Sequence, residues 1–132
     1  MDIHAGLFQS LADPTRLRLV NLLLQAGEVC GCELVDALQV PQYNVSRHLQ
    51  TLTQAGLLED RRLGKWVYYR ICRELKPYHR AVLRAVAELR VEREDFAQDE
   101  ERASRRLKLR RGGLCCVGLV ALASAANPRR QS

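Results

Sequence analysis

The sequence predicts a mainly helical domain that carries one β-hairpin. Apolar residues make up 47% of the 132 residues but aromatic residues only 5%, so the core must be largely aliphatic, which suits packed helices better than a β-sandwich. Leucine and valine recur at helical spacing through most of residues 3–96, whereas residues 57–71 have the composition of two paired strands. A chain of this length lies within the usual size of one domain.

The first two helices are predicted from apolar spacing and capping residues. Apolar residues recur every four positions between Ile3 and Leu11, which indicates an amphipathic helix. Asp13 can cap a second helix and Pro14 suits its first position. This leucine-rich second helix is predicted to end at Gly27, a plausible left-handed cap.

A helix-turn-helix follows. The third helix is predicted over Cys30–Leu38, and the fourth begins at Pro41 and runs to about Ala55. The fourth helix has an apolar stripe, which leaves its polar residues free on the other faces. These polar residues are Gln42, Asn44, Ser46, Arg47 and Gln50.

A hairpin, or wing, comes next in the sequence. Residues 57–62 and 66–71 can pair across a turn at Gly64, and the second arm is aromatic and β-branched. A long helix is predicted from Glu74 to about Phe96. The expected fold is therefore a winged helix-turn-helix, α1-α2-α3-α4-β-β-α5, over residues 1–98, followed by a basic, flexible tail over residues 99–132.

Charge and cysteine content limit the function classes. The net charge of +6 comes from residues 100–132, because residues 1–99 carry equal numbers of basic and acidic side chains. Residues 41–73 nevertheless hold a local basic excess, and Arg61, Arg62 and Lys65 on the wing are placed to meet DNA phosphates. On the fourth helix, arginine can bind guanine, and asparagine or glutamine can bind adenine.

The sequence favours a cytoplasmic protein with no membrane partner. It begins without a basic segment followed by a long apolar one, so no secretion signal is predicted. The apolar run at residues 114–126 is shorter than the roughly 20 residues of a spanning helix. In a reducing cytosol, five cysteines are more typical of thiols or metal ligands than of disulfides.

These motifs together resemble the ArsR/SmtB family of arsenic- and metal-responsive repressors, from about Phe8 to Ile71. The stretches that carry the resemblance are Leu11-Ala-Asp-Pro-Thr-Arg-Leu-Arg-Leu, Glu28-Val-Cys-Gly-Cys-Glu-Leu, and Val45-Ser-Arg-His-Leu with Gly64-Lys-Trp-Val-Tyr-Tyr-Arg. The resemblance implies a dimeric winged helix whose first and last helices form the subunit interface. It also implies a repressor that leaves double-stranded operator DNA when an ion binds. The residues that it places on the DNA-reading helix are Gln42, Asn44, Ser46, Arg47 and His48.

The pair Cys30 and Cys32 is the predicted ion site. Side chains at i and i+2 of an ideal helix point roughly 200° apart, so both can bind one ion only if the helix distorts, which Gly31 would ease. Soft thiolates select thiophilic ions. The expected inducer is As(III) or Sb(III), with no cofactor required.

The third ligand is left open by the sequence. Arsenite sensors of this family often carry another cysteine where this chain has Val35, so the candidates are Cys72, Cys115, Cys116 or a small cellular thiol. Pro41 is a second departure, because the family often caps the recognition helix with serine or threonine there. A cadmium, lead or zinc sensor of the same family is an alternative.

Two further alternatives are a DNA binder that responds to thiol oxidation and a thiol oxidoreductase. The oxidoreductase would need a βαβ setting around its cysteines, which the pattern does not show, so no enzyme is predicted.

A homodimer is expected from two apolar stripes that one small domain is too small to bury. They lie on the first helix (Ile3, Leu7, Leu11) and on the last (Val82, Val86, Leu89).

Overall fold

Helices and short strands follow one another through residues 2–115, the part of the chain that this computed structural model describes. In order, they are α1 (Ile3–Leu11), α2 (Pro14–Ala26), β1 (Val29–Cys30), α3 (Gly31–Leu38), α4 (Gln42–Gln54), β2 (Leu58–Leu63), β3 (Trp66–Ile71), α5 (Pro77–Glu88), a 3-10 turn (Leu89–Val91) and α6 (Glu94–Leu107). The mainly helical winged helix-turn-helix prediction is confirmed, with two elements added, β1 and α6.

Capping explains where the first helices begin. The Asp2 carboxylate accepts hydrogen bonds from the backbone N–H groups of His4 and Ala5, at 2.9 and 3.0 Å. Asp13 caps α2 in the same way through the N–H of Arg16, at 3.0 Å, and Pro14 occupies the first turn. These side chains satisfy N–H groups that have no partner within the helix.

The core lies where α2, α3 and α4 meet. Leucines from each helix are fully buried there, including Leu22, Leu34 and Leu52. Between α3 and α4 the chain turns at Gln39, which has a left-handed conformation (φ 57°). The core therefore fixes the angle between the two helices of the helix-turn-helix.

The sheet has three antiparallel strands in the order β1-β3-β2. Strands β2 and β3 form the predicted wing, with Leu63 opposite Trp66 at the turn. The short strand β1 pairs Cys30 with Tyr68 and was not predicted. Two residues are too few to show an alternating pattern, so β1 exists only because β3 lies beside it.

The single helix predicted over Glu74–Phe96 is wrong. Helix α5 ends at Glu88, and after the 3-10 turn the backbone is extended at Arg93 (φ −107°, ψ 101°) before α6 begins. The Arg93 guanidinium binds the Asp95 carboxylate at 2.8 and 3.0 Å, which stabilises this bend. The bend turns the chain back so that Phe96 is completely buried.

The flexible tail predicted from residue 99 is also wrong as far as Leu107, because those residues belong to α6. This helix packs against α2 and α3 through Phe96, Asp99, Ala103 and Arg106, all of them buried. Their spacing is helical, but two of the four are charged, so the polar sequence hides the buried face. Residues 116–132 of the predicted tail lie outside the described part of the chain.

Ion pairs join α3 to α6 and to the residues just beyond the end of α6. Arg106, which is fully buried, binds the Asp36 carboxylate at 2.7 Å in the middle of α3. Beyond the end of α6, Arg110 binds both carboxylate oxygens of Glu33 in the first turn of α3, each at 2.7 Å.

At the other end of α3, the buried Asp99 accepts hydrogen bonds from Arg18 and Arg102. The two arginines in turn donate to the carbonyls of Leu38 and Ala37, at 2.7 and 2.6 Å. These bonds satisfy carbonyl groups that the last turn of a helix leaves open. Helix α6 therefore holds the first helix of the helix-turn-helix at both ends and in the middle.

Among the helices of residues 2–115, none combines the length and the apolar character that crossing a membrane requires.

We predict that Asp36→Ala destabilises the fold by about 3–5 kcal/mol, because it leaves the Arg106 guanidinium buried without its carboxylate. The free energy of unfolding in urea measures this loss. Glu101→Ala is the matched control: it removes the 3.8 Å pair with Arg105 on the exposed side of the same helix and should change stability by less than ~1 kcal/mol. Equal losses in the two variants would contradict the assigned role of the buried pair.

Candidate metal centre and nucleic-acid interface

The thiols of Cys30 and Cys32 meet at the start of α3. Cys30 ends β1 and has an extended backbone (φ −71°, ψ 148°), while Cys32 lies in the first turn of the helix. Their sulfurs are 3.5 Å apart. The predicted opposite orientation on a regular helix is therefore wrong, because Cys30 precedes the helix, and no helix distortion is needed to bring both sulfurs to one ion.

The local fold holds this arrangement in place. The carboxylate of Glu33 accepts a hydrogen bond from the backbone N–H of Cys30 at 2.9 Å, as in a capping box. A side chain at Gly31 would meet Tyr69 at 3.6 Å, an ordinary contact, so this glycine is not required for close packing. Its predicted use as a hinge finds no support in the geometry.

A third thiol, that of Cys115, reaches the same place from the far end of the described chain. Its sulfur lies 3.3 Å from that of Cys32, and the ligand atoms of Cys30, Cys32 and Cys115 all lie within 4.8 Å of one another. The thiols of Cys30 and Cys115 are buried. Of the third-ligand candidates within residues 2–115, Cys115 is the one whose sulfur lies next to those of Cys30 and Cys32.

A tight turn after α6 delivers Cys115. Arg111 and Leu114 exchange two backbone hydrogen bonds, at 3.0 and 3.1 Å, across Gly112 and Gly113. Both glycines have positive φ (60° and 76°), as a type I′ turn requires. Gly112 and Gly113 thus form a hairpin turn within the segment that the sequence predicted to be a flexible tail.

Basic and phenolic groups surround the three sulfurs. Arg106 Nη2 lies 3.6 Å from the sulfur of Cys32 and 3.9 Å from that of Cys115. The hydroxyl oxygen of Tyr68, on β3, accepts a hydrogen bond from the backbone N–H of Cys115 at 2.8 Å. The site therefore joins four parts of the chain: β1, α3, the wing, and the turn after α6.

Proton sharing between the thiols favours an anionic site. The Cys32 thiol donates a hydrogen bond to the Cys30 sulfur, which lowers the pKa of Cys30 to about 6. The same contact raises the pKa of Cys32. At neutral pH the cluster holds thiolate charge at Cys30, close to the positive charge of Arg106.

Cys72, another of the third-ligand candidates, is not part of this cluster. It follows β3, where its N–H donates to the carbonyl of Leu57 at 2.9 Å, and burial raises the pKa of its thiol. Cys116 lies outside the described residues.

Helix α4 exposes most of the predicted DNA-reading residues. Val45, Leu49 and Leu52 are buried against the core, and the opposite faces are exposed to solvent. The exposed members of the predicted set are Gln42, Asn44, Ser46 and Arg47. Because α4 begins right after Pro41, their side chains lie near its N-terminus, where a helix also attracts phosphate.

Tyr43 on the same helix was missed in the sequence analysis. It is 72% exposed, and the Arg47 guanidinium lies 5.6 Å from the centre of its ring. The available signal was its position as the second residue of a helix whose apolar stripe passes through Val45, not Tyr43.

His48 has a different environment from the rest of the predicted set. Its ring nitrogen Nδ1 lies 3.1 Å from Nη1 of Arg16, and Nε2 lies 3.8 Å from the Asp13 carboxylate. Burial lowers the pKa of this histidine. His48 therefore ties α4 to the start of α2 and positions the helix from behind.

The three basic wing residues also differ. Arg61 binds both carboxylate oxygens of Glu28, at 2.7 and 2.8 Å, and stacks 5.3 Å from the Tyr68 ring. Arg62 and Lys65 are exposed towards the tip, with the Lys65 ammonium 5.0 Å from the Trp66 ring. Arg62 and Lys65 are thus the better placed pair for phosphate contact.

One cleft of about 260 Å³ connects the two candidate sites. The thiol-bearing residues Cys30 and Cys32 line one side, Gln42 and Ser46 of α4 another, and Lys65 of the wing a third. The thiol pair therefore lies in the same cleft as the solvent-facing sides of α4 and the wing.

Residues 13–60 match the model of the arsR family of bacterial regulatory proteins. The matched range includes Cys30, Cys32 and all of α4, but neither Cys115 nor α6. The third thiol thus lies outside the part of the chain that the family model describes.

Three curated proteins show the extent of the similarity. An arsenic resistance transcriptional regulator of Pseudomonas putida is 47% identical over 81 residues, which cover 61% of this chain and 63% of that protein. The arsenical resistance operon repressor of Escherichia coli is 54% identical over 65 residues, 49% of this chain and 56% of that repressor. A helix-turn-helix transcriptional regulator of Methanocaldococcus jannaschii is 40% identical over 67 residues, 51% of this chain and 75% of the regulator. The chain thus spans less than two thirds of the length of the first two.

Proposed function

We propose that this chain, which belongs to the arsR family of bacterial regulatory proteins, is a cytoplasmic transcriptional repressor that leaves its operator when trivalent arsenic or antimony binds Cys30, Cys32 and Cys115. The observation that carries this proposal is the meeting of three thiol sulfurs within 4.8 Å of one another, beside the DNA-binding helix. The names of the relatives, which describe arsenic resistance regulators, support the same effector.

The composition of the cluster supports a trivalent metalloid. Three thiolates suffice for As(III): arsenous acid gives up its three hydroxyl groups as water, taking three thiol protons, and gains three arsenic–sulfur bonds. Structural zinc takes four protein ligands, and the cluster within residues 2–115 offers three. A zinc, cadmium or lead sensor is thus less well supported than an arsenic or antimony sensor.

The three thiols lie close enough together to bind one ion. Because the sulfur–sulfur distances are 3.3 and 3.5 Å, binding needs little rearrangement of α3 itself. A preorganised site loses little free energy to ordering and therefore binds tightly.

The signal then passes through the contacts of Arg106 and through the shared cleft. Binding of arsenic to all three sulfurs draws Cys30, at the end of β1, towards Cys32 and Cys115, and this alters the contacts of Arg106 with Cys32 and Cys115. Arg106 is also one of the residues that hold α3 against α6. We propose that the altered hold on α3 shifts α4 and the wing across the cleft and so lowers the affinity for DNA.

The DNA contacts divide by chemistry. Arg47, with Asn44 and Gln42, is suited to reading base edges in the major groove, and Ser46 is suited to either bases or backbone. Arg62 and Lys65 on the wing would bind phosphate. His48 and Arg61 are engaged within the protein, so we assign them to the support of α4 and the wing.

The competing classes have weaker support. The cysteines stand at the start of a helix in a winged fold and not in the βαβ setting of a thiol oxidoreductase. The family and the relatives are regulators, which favours a DNA-binding protein over an enzyme.

We further propose a homodimer through part of the surface that the sequence predicted. Of the predicted stripes, Leu7, Leu11 and Val86 are buried within the single chain, whereas Ile3 and Leu89 are exposed. The apolar side chains that remain exposed on α1 are Ile3 (77%) and Phe8 (61%). His4 of α1 stacks edge-on with Tyr78 of α5 at 5.1 Å, so the two helices present one surface to a second copy.

The first prediction from this function concerns the effector. Cys30→Ser, Cys32→Ser and Cys115→Ser should each bind the operator like the unaltered protein but stay bound when arsenite is added, because one ligand is missing. Release of labelled operator, followed by fluorescence anisotropy in excess reductant, measures the response. Cys72→Ser is the matched control and should respond normally. Normal release of Cys30→Ser would exclude the site, and normal release of Cys115→Ser with loss in a control would exclude Cys115 as third ligand.

The second prediction separates base contacts from phosphate contacts. Arg47→Ala should cost on the order of 1–3 kcal/mol in operator affinity and relax sequence preference. Lys65→Ala should weaken operator and unrelated DNA alike and reduce the dependence of affinity on salt. Titrations of both DNAs at several salt concentrations distinguish the two patterns. If Arg47→Ala keeps full affinity and selectivity, α4 does not read bases through this residue.

The third prediction tests the subunit interface. The double change Ile3→Glu with Phe8→Glu should give folded monomers that lose operator binding, because charge repels the second copy at the proposed surface. Sedimentation velocity at micromolar concentration reports the change. The control Leu114→Glu, at an exposed apolar residue of the turn after α6, should leave the dimer intact. A monomeric unaltered protein under the same conditions would contradict the proposal.

A further inference from the structure

We propose that hydrogen peroxide joins Cys32 and Cys115 through a disulfide bond, which closes the ion site and leaves the protein bound to DNA. The inference rests on the proposed function, because it concerns the same three sulfurs. It adds a second input to them: oxidation would make the repressor insensitive to its ion.

The geometry favours this pair. The two sulfurs are 3.3 Å apart and need to approach by only about 1.3 Å to reach the ~2.05 Å length of a disulfide bond. Cys115 directly follows the two-glycine turn, so its backbone can move towards Cys32 without disturbing a helix.

The other pairings are less favourable. The sulfurs of Cys30 and Cys32 are 3.5 Å apart, but a bond between residues i and i+2 closes a small ring that would strain the first turn of α3. Cys72 is not part of the cluster. The Cys32 sulfur is close to both other sulfurs. A bond from Cys32 to Cys115 distorts the backbone less than a bond to Cys30.

Oxidant can reach the cluster at Cys32. This thiol is partly exposed and lines the cleft between α4 and the wing, whereas the Cys30 and Cys115 side chains are buried. The Arg106 guanidinium lies 3.6 Å from the Cys32 sulfur, and the Cys32 thiol donates a hydrogen bond to the neighbouring Cys30 sulfur, which can accept its proton. Exposure and positive surroundings are the conditions that make a cysteine susceptible to peroxide.

The reaction balances with peroxide as the sole oxidant. The Cys32 thiol passes its proton to the Cys30 sulfur, to which it donates a hydrogen bond, and attacks one peroxide oxygen; the O–O bond breaks, a sulfenic acid forms, and the departing hydroxide takes up that proton as water. The Cys115 thiol then attacks the Cys32 sulfur, the S–S bond forms, the S–O bond breaks, and the departing hydroxide leaves with the Cys115 proton as a second water. Two thiols lose two electrons and two protons in total, and one peroxide becomes two waters.

The disulfide uses Cys32 and Cys115 and leaves Cys30, at the end of β1, unbonded, whereas the ion binds all three sulfurs. The ion pairs of Arg106 with Asp36 and of Arg110 with Glu33 do not involve the sulfurs, so they remain. The disulfide adds a covalent tie between α3 and the turn after α6, so α3 stays fixed against α6. The oxidised protein should therefore keep its grip on DNA, while two of its three ion ligands are consumed.

The experiment treats the full chain with stoichiometric hydrogen peroxide and follows four readouts. We expect a mass lower by two hydrogens, faster migration in non-reducing gels, a higher melting temperature because a long loop is closed, and bound operator that arsenite no longer releases. Dithiothreitol should reverse all four. Loss of DNA binding on oxidation would overturn the proposal, as would the absence of an intramolecular disulfide.

Variants identify the partners. Cys32→Ser and Cys115→Ser should not form the cross-link, whereas the control Cys72→Ser should form it as the unaltered chain does. A cross-link that persists in Cys115→Ser would overturn the assignment. If reduced protein responds to arsenite but forms no disulfide, only this inference fails. If the disulfide forms but the reduced protein ignores arsenite, the proposed ion site fails instead.

Discussion

The buried ion pair between Arg106 and Asp36 is the contact on which the rest of the molecule depends. Burying an arginine completely is costly unless a carboxylate meets it, and here the carboxylate belongs to α3, the first helix of the helix-turn-helix. The same guanidinium reaches towards two of the three sulfurs. One side chain thus sets the position of α3, the electrostatic environment of the thiols and the path of the chain towards Cys115.

The structure places the thiol cluster beside the exposed faces of α4 and the wing. The three sulfurs come from β1, α3 and the turn after α6, and the cleft beside them is lined by α4 and the wing. Because packed interiors respond to local change by shifting between discrete arrangements, the proposed release of DNA requires only that a change at the sulfurs alters the packing around this cleft.

The proposed ion site and the proposed disulfide depend on the same geometry. Neighbouring sulfurs of the cluster lie 3.3 and 3.5 Å apart, which is close enough to share an ion, and the same proximity brings two of them close to bonding distance. Two thiols can be oxidised to a disulfide, whereas histidine or carboxylate ligands cannot form such a bond.

The sequence by itself determined the helix-turn-helix, the wing, the exposed side chains of α4 and the closely spaced cysteines Cys30 and Cys32. Each of these features depends on neighbours within a few residues. Capping by Asp13, the apolar stripe through Val45 and the composition of β3 are all local signals. Only the tertiary structure decided that Cys30 is extended, that α6 is a buried helix and that Cys115 joins Cys32. Strand β1 forms because β3 pairs with it, and the charged face of α6 is buried because α3 supplies the opposite charges. Contacts between residues so far apart along the chain leave no local pattern, since their stabilisation comes from partners that only folding brings together.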